Sequence, residues 1–175
     1  MTAFLVRSRT NTAYRKRLGE RIGLVNPCFK KEGVIIHAAS VGEVLALKPF
    51  VENLLQQKPS LVITFTTFTP TGSEQVQKLF GDRVQHCYLP LDCWPCTSLF
   101  LSKLQPQAFI FMETEIWPNL IAQCENKAIK LLLINGRLSE KSVVSYQKFS
   151  WLIHPSLNAF DHIYCQSQDN FERFI

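Results

Sequence analysis

An α/β fold, a Rossmann-like parallel sheet flanked by helices, is what this sequence predicts, and three observations carry the prediction. Ala108–Met112 is an unbroken apolar run of strand length, and Ile129–Ile134 is apolar but for Lys130, as expected of strands buried on both faces. Between such runs lie longer stretches with apolar residues at helical spacing, such as Val44, Leu47, Val51, Leu54 and Leu55. From residue 34 onward the two kinds of segment alternate, separated by Gly, Pro, Ser, Thr and Asn, which is the pattern of consecutive βαβ units.

Taken in order, residues 11–23 read as a basic helix with Tyr14, Leu18 and Ile22 four apart on one face, ended by Gly23. Asn26-Pro27 and Lys30 to Gly33 form a connector. Val34–His37 is the first strand, and Gly42–Gln57 the first long helix. Leu61–Thr66 is the second strand. Pro70–Phe80 is a helix, with Pro70 suited to its first turn and Thr71/Glu74 spaced as a capping box. Val84–Leu89 is the third strand and Cys96–Leu104 a short helix. Ala108–Met112 is followed by a helix over Trp117–Asn126 opened by Pro118, and Ile129–Ile134 by a helix over Ser139–Leu152 capped by Ser139. Asp161–Cys165 is the sixth strand, and Asp169 starts a last helix.

With 175 residues, 46% hydrophobic and 19% charged, the chain suits one substantial folded core rather than two domains or a disordered segment. It divides into a basic segment, 1–31, and the Rossmann-like body, 32–175. Arg7, Arg9, Arg15, Lys16, Arg17, Arg21, Lys30 and Lys31 face Glu20 alone in the first segment, while the body is slightly acidic. That places an anionic membrane surface first among partners for the basic segment, ahead of a merely solvated helix. Nucleic acid is not expected, because the body has no basic stripe interleaved with aromatics. No run of eighteen apolar residues is present, and Met1–Val6 is too short for a signal peptide. The sequence stops as a helix begins, so one domain of a larger protein is expected.

In an open α/β sheet, ligands bind beyond the carboxyl ends of the strands. Glu43 stands there, after the first strand and in the first turn of a helix, where a general base can meet a substrate hydroxyl. The helix dipole alone would also favour a glutamate at that place. Further strand ends carry Thr66–Ser73, Glu113–Asn119 and Asn135–Ser139. Their hydroxyls suit a sugar, their helix N-termini and Arg137 suit phosphate, and the same residues suit ordinary capping. Glu113 and Glu115 could likewise cap the following helix, and Trp117 reads as packing before sugar platform. Cys93 and Cys96 form a CxxC, spaced for a redox dithiol or half a zinc site, but no second pair accompanies it. His37, His86, His154 and His162 have no metal or triad spacing and read as structural. No metal and no cofactor are expected, and the common nucleotide-binding fingerprints are absent.

The strings Ala13–Gly23, His37–Glu43, Thr66–Glu74, Leu89–Asp92, Glu113–Asn119 and Asn135–Ser139 resemble the N-terminal, acceptor-side half of the bacterial 3-deoxy-D-manno-octulosonic acid (Kdo) transferases. The resemblance implies a GT-B glycosyltransferase of lipopolysaccharide biosynthesis, which moves Kdo from CMP-Kdo to the lipid A precursor lipid IVA at the cytoplasmic face of the inner membrane. It implies Glu43 as general base and Glu113 as a second important glutamate. Ser40, Gly42, Thr67, Thr71, Gly72, Ser73 and Arg137 become candidate acceptor contacts, and Arg15, Lys16, Arg17 and Arg21 candidate membrane-facing residues. The donor, CMP-Kdo, would be held mainly by a C-terminal domain of the same protein, without which the fragment is not expected to catalyse transfer. The shorter apolar stretch before Ala13 departs from the family pattern. Two rivals stand beside this reading: a non-catalytic lipid- or sugar-binding domain of the same fold, and a thiol redox module.

Overall fold

The computed structural model describes residues 12–174. Met1–Val6, Arg7, Arg9 and Asn11 lie outside the described residues. Strands β1 (Val34–Ala38), β2 (Ile63–Thr67), β3 (Gln85–Tyr88), β4 (Ala108–Met112), β5 (Lys130–Gly136) and β6 (His162–Cys165) form one sheet in the order β3-β2-β1-β4-β5-β6. Every pairing is parallel. The order reverses between β1 and β4, where His37 lies opposite Phe111. That reversal opens the crevice in which doubly wound folds bind ligands.

The crossovers distribute the helices over the two faces. Helices α2 (Val41–Gln57) and α3 (Pro70–Phe80) bury Val44, Leu47, Val51, Val76 and Phe80 against Ile36, Ile63, Phe65, Ile110 and Met112. On the opposite face α4 (Trp94–Leu104) and α5 (Pro118–Asn126) bury Phe100, Leu101, Leu104, Leu120, Ile121 and Cys124 against Ile35, Phe109, Phe111, Leu131 and Leu133. Both faces of the central strands are therefore covered, which is why those strands read as apolar runs. Beyond α2, a groove of about 550 Å³ remains along β4 and β5, lined by Phe50, Met112, Leu132, Ile134 and Tyr164 among others.

The predicted helix over Ser139–Leu152 is two helices, α6 (Glu140–Lys148) and α7 (Ser150–Asn158). Phe149, at φ −112° and ψ 31°, breaks the run, and α7 turns to pack on α5. The chain ends in α8 (Gln168–Phe174). The cap of α3 is Thr69, whose hydroxyl accepts the Gly72 N–H at 3.1 Å, not the expected Thr71. With Pro70 in the first turn, the cap falls on the residue before it.

The N-terminal segment departs most from expectation. In place of one helix over 11–23 there is a 3-10 turn, Thr12–Arg15, and a single helical turn, α1 (Leu18–Arg21), separated by Arg17 in the left-handed region at φ 56°. Leu18 and Ile22 are half exposed, and the buried residues are Tyr14 and Arg21. Gly23 abuts α4: a Cβ there would lie 2.3 Å from the Cys96 carbonyl oxygen.

One carboxylate ties two of the strand-end loops together. Asp92, after β3, accepts the Leu120 N–H at 2.8 Å and the Asn119 N–H at 3.1 Å, and its own carbonyl accepts from the Asn119 amide at 3.0 Å. Asp92 thus caps α5 from a distant loop, and its charge complements the helix dipole. Asp92→Ala is expected to cost about 1–2 kcal/mol. In a chain of this length that is a fall of about 2–8 °C in Tm, measurable by calorimetry, with Asp92→Asn losing less.

Candidate functional site

Ser40 leaves β1 in extended conformation and caps α2. Glu43 lies three residues on, buried, with its carboxylate turned back to the loop it came from. One oxygen, Oε2, accepts the Ala39 N–H at 2.8 Å, and Oε1 accepts the Ser40 hydroxyl at 2.7 Å. The return contact, from the Glu43 N–H to Ser40 Oγ, is long at 3.5 Å. This is a capping box displaced by one residue, since the N–H answered is that of Ala39 and not that of the cap, Ser40; Glu43 thus has a structural role. A carboxylate has about four acceptor positions. Two donors leave room for a substrate hydroxyl.

Burial pushes the Glu43 carboxyl above its usual range. The Ser40 hydroxyl and the Ala39 N–H offset part of this, while the Glu115 charge adds to the rise and His37 opposes it. Glu115 behaves differently. Burial, its largest single influence, pushes it up, but the His37 imidazole and the Trp117 N–H outweigh burial and hold the carboxyl low. Trp117 Nε1 donates to Glu115 Oε2 at 3.0 Å, and His37 Nε2 lies 3.6 Å from the same oxygen. Two neighbouring carboxylates pushed in opposite directions are the pattern by which a base is told from its partner.

The β2–α3 loop is strapped to this corner through one carbonyl. Ala39 O accepts both the Thr69 N–H, at 3.2 Å, and the Thr69 hydroxyl, at 3.0 Å. Gly72 is required by the same packing, since a Cβ there would come 2.9 Å from Thr69 Oγ1.

Of the expected acceptor contacts, Ser40, Gly42, Thr71 and Arg137 have some or full exposure at this edge. Thr67, Gly72 and Ser73 do not: all three are buried. Thr67 Oγ1 pairs with His86 Nε2 at 3.1 Å, and Ser73 Oγ accepts from Arg17 at 3.0 Å. Their polar groups are used inside the fold. Glu113 follows β4 at φ 59°. Among the described residues its carboxylate makes no ion pair or side-chain hydrogen bond, which leaves it available at the crevice. Arg137 is exposed, and its carbonyl accepts the Thr114 hydroxyl at 2.5 Å, joining the β4 and β5 loops.

Two of the four residues expected to face a membrane are engaged internally. Arg21 is buried between aromatic rings, its guanidinium 4.0 Å from the Tyr88 centroid and 4.7 Å from that of Phe68. It donates to Phe68 O at 2.6 Å and Leu89 O at 3.3 Å, and burial lowers it to about 10. Arg17 bonds Glu20, Ser73 and His86 and lies 4.6 Å from the Tyr88 centroid. Stacking on aromatics and donation to carbonyls make these arginines structural pins. Arg15 and Lys16 remain exposed. His86, held neutral by burial and by Arg17 and Arg21, which lower it to about 3, is structural as expected. His37 is wholly buried, with Nε2 3.6 Å from Glu115 Oε2. Cys96 is pushed up to about 11 by burial and by Cys93.

Sequence reasoning missed the roles of His37 and Asp92. Strand parity signals the first, since His37 alternates with Ile36 and Ala38 and so faces the other side of the sheet. No local signal marks the second. Among the described residues no His/Cys/Asp/Glu group is arranged to hold a metal ion.

Residues 16–175 match the family model described as 3-deoxy-D-manno-octulosonic-acid transferase (kdotransferase). A 3-deoxy-D-manno-octulosonic acid transferase of Haemophilus influenzae is 51% identical over 137 residues, covering 77% of this chain and 32% of the relative. One of Rickettsia typhi is 33% identical over 141 residues, 81% of this chain and 30% of the relative. A bifunctional glycosyltransferase/methyltransferase of Fusobacterium nucleatum is 29% identical over 174 residues, 97% of this chain and 26% of the relative. The chain thus spans about a third or less of the length of these relatives. On the match across almost its whole length, the chain belongs to the 3-deoxy-D-manno-octulosonic-acid transferase family.

Proposed function

We propose that this chain is the acceptor-side half of a GT-B Kdo transferase that moves Kdo from CMP-Kdo to lipid IVA, with Glu43 as general base. The observation that carries the reading is the Glu43 carboxylate at the β1/β4 reversal, buried and raised in proton affinity, with acceptor positions to spare. A base is most effective when its pKa lies near the working pH. Glu43 takes the proton from a primary hydroxyl of the acceptor as that oxygen bonds to the anomeric carbon of Kdo. The bond from that carbon to the CMP phosphate breaks, and CMP leaves with the electron pair. The displacement inverts the anomeric centre. A C-terminal domain of the parent protein holds the donor. Glu113, Thr71 and Arg137 stand at the same edge as acceptor contacts.

The site works at the cytoplasmic face of the inner membrane. No described helix is long and apolar enough to cross a bilayer. Leu18, Ile22 and Leu24 are each about half exposed, and Arg15 and Lys16 adjoin them on the chain, a combination suited to an anionic lipid surface.

In the full-length protein, Glu43→Gln is expected to lower kcat for Kdo transfer by about 10²–10⁴. Near-wild-type activity would move the base elsewhere, with Glu113 the next residue to replace. Stability should change in the opposite sense. A raised carboxyl binds more protons in the folded than in the unfolded state, so wild-type stability falls as pH rises above 4.5 through the folded-state pKa. Glu43→Gln removes that loss. Its Tm should exceed that of the wild type at neutral pH, and the difference should shrink as pH falls toward 4.5. Ile22→Ser combined with Leu24→Ser is expected to weaken sedimentation of the full-length protein with phosphatidylglycerol vesicles roughly tenfold.

A further inference from the structure

His37 lies wholly buried near the end of β1, on the face away from α2. Its Nδ1 is 3.2 Å from the Thr66 carbonyl oxygen and 3.0 Å from the Thr66 hydroxyl. The Thr66 hydroxyl lies closer to Nδ1 than to its alternative acceptor, Ile36 O at 3.5 Å, so it donates to Nδ1, and the proton of the neutral ring then sits on Nε2. In that tautomer the Nε2 N–H faces Glu115 Oε2, 3.6 Å away and just beyond hydrogen-bond length. An N–H facing a buried carboxylate favours its charge, whereas a lone pair facing it would repel. Phe111 and Trp117 meet the imidazole edge-on, at centroid distances of 6.2 and 6.1 Å, and fix its plane. The indole of Trp117 also donates to the same Glu115 oxygen.

We propose that Thr66, His37 and Glu115 form a proton-holding chain that keeps Glu115 ionised beside Glu43, which makes His37 a positioning residue for the base. The proposal rests on the reading of Glu43 as that base. The titratable groups facing the pair are Glu43 on α2 and Tyr146 on α6, the latter raised by burial and by the Glu115 charge. His37 touches no substrate. It supplies an N–H toward Glu115, and the negative charge of Glu115 in turn strengthens the hold of Glu43 on a proton. The influence of Glu115 on Glu43 outranks the opposing one of His37, so the net effect of the chain is to make Glu43 more basic.

The test is a pH titration of the Glu43 carboxyl in the full-length protein, labelled with ¹³C-glutamate and assigned by its loss in Glu43→Gln. Glu115→Gln is expected to move the Glu43 midpoint to lower pH. His37→Asn, which keeps an acceptor toward Thr66 and loses the Nε2 contact, should move it the same way, because Glu115 then takes up a proton. The double variant should add little, and kcat in each should fall roughly tenfold with KM nearly constant. His37→Gln, whose amide reaches toward Glu115, should retain more of the wild-type profile. A folded His37→Asn with an unmoved Glu43 midpoint would overturn the proposal, as would single-variant shifts that add fully in the double. If His37→Asn does not fold, Glu115→Gln and His37→Gln decide on the same readout. The titration needs no turnover, so a failure of the Kdo-transfer reading appears as an inactive wild type and leaves this result separately legible.

Discussion

The main chain of Ala39 is the joint on which the candidate site's edge is built. Its N–H goes to the Glu43 carboxylate, and its carbonyl receives the Thr69 N–H and hydroxyl. Ala39 is the first residue beyond β1, beside the place where the strand order reverses. Chain reversal there leaves a backbone donor and acceptor outside the sheet ladder, and such groups must find partners when shielded from water. The partners recruited are the Glu43 carboxylate and the next loop. Glu43 cannot swing away without orphaning the Ala39 N–H, and the β2–α3 loop cannot rise without freeing the Ala39 carbonyl. The geometry of the crevice is thereby a by-product of satisfying the backbone of one residue.

A second constraint acts from outside the sheet. The guanidinium groups of Arg17 and Arg21 converge on Tyr88 at the end of β3, and Glu20, between them on the chain, accepts the Tyr88 N–H at 2.7 Å. Burying a cation is costly unless its donors and its charge are answered. Here carbonyl oxygens, a carboxylate and aromatic faces answer both. The basic character of the N-terminal segment is consequently divided. Part of it fastens the segment to the β2 and β3 loops, and Arg15 and Lys16 remain outward.

The architecture was legible because it depends on short-range periodicity. Apolar strands, helical stripes and punctuating Pro and Gly gave all six strands and most helices, and the crossover rule then limits their order. The place of Glu43 was legible for the same reason, since it lies just past a strand and inside the first turn of a helix. What escaped depends on contacts far apart in sequence. Tyr14, Leu18 and Ile22 keep helical spacing, yet the chain turns left-handed at Arg17, and Arg17 and Arg21 dock on Tyr88 and its neighbours, contacts far away in sequence. Thr67 and Ser73 have residue types that suit a sugar. The partners that claim them, His86 and Arg17, lie on other elements. Asp92 stood in a noticed string without a role because the helix it caps begins twenty-six residues later.

Glu113 has a property that bears on how its role can be read. At φ 59° it occupies a backbone region that favours glycine and tolerates other residues at a cost. Replacement by alanine removes the carboxylate and keeps the unfavourable torsion; replacement by glycine removes the carboxylate and relieves it. The two truncations are therefore not equivalent controls. Their difference isolates what the main chain contributes at the mouth of β4, and what they share isolates the charge.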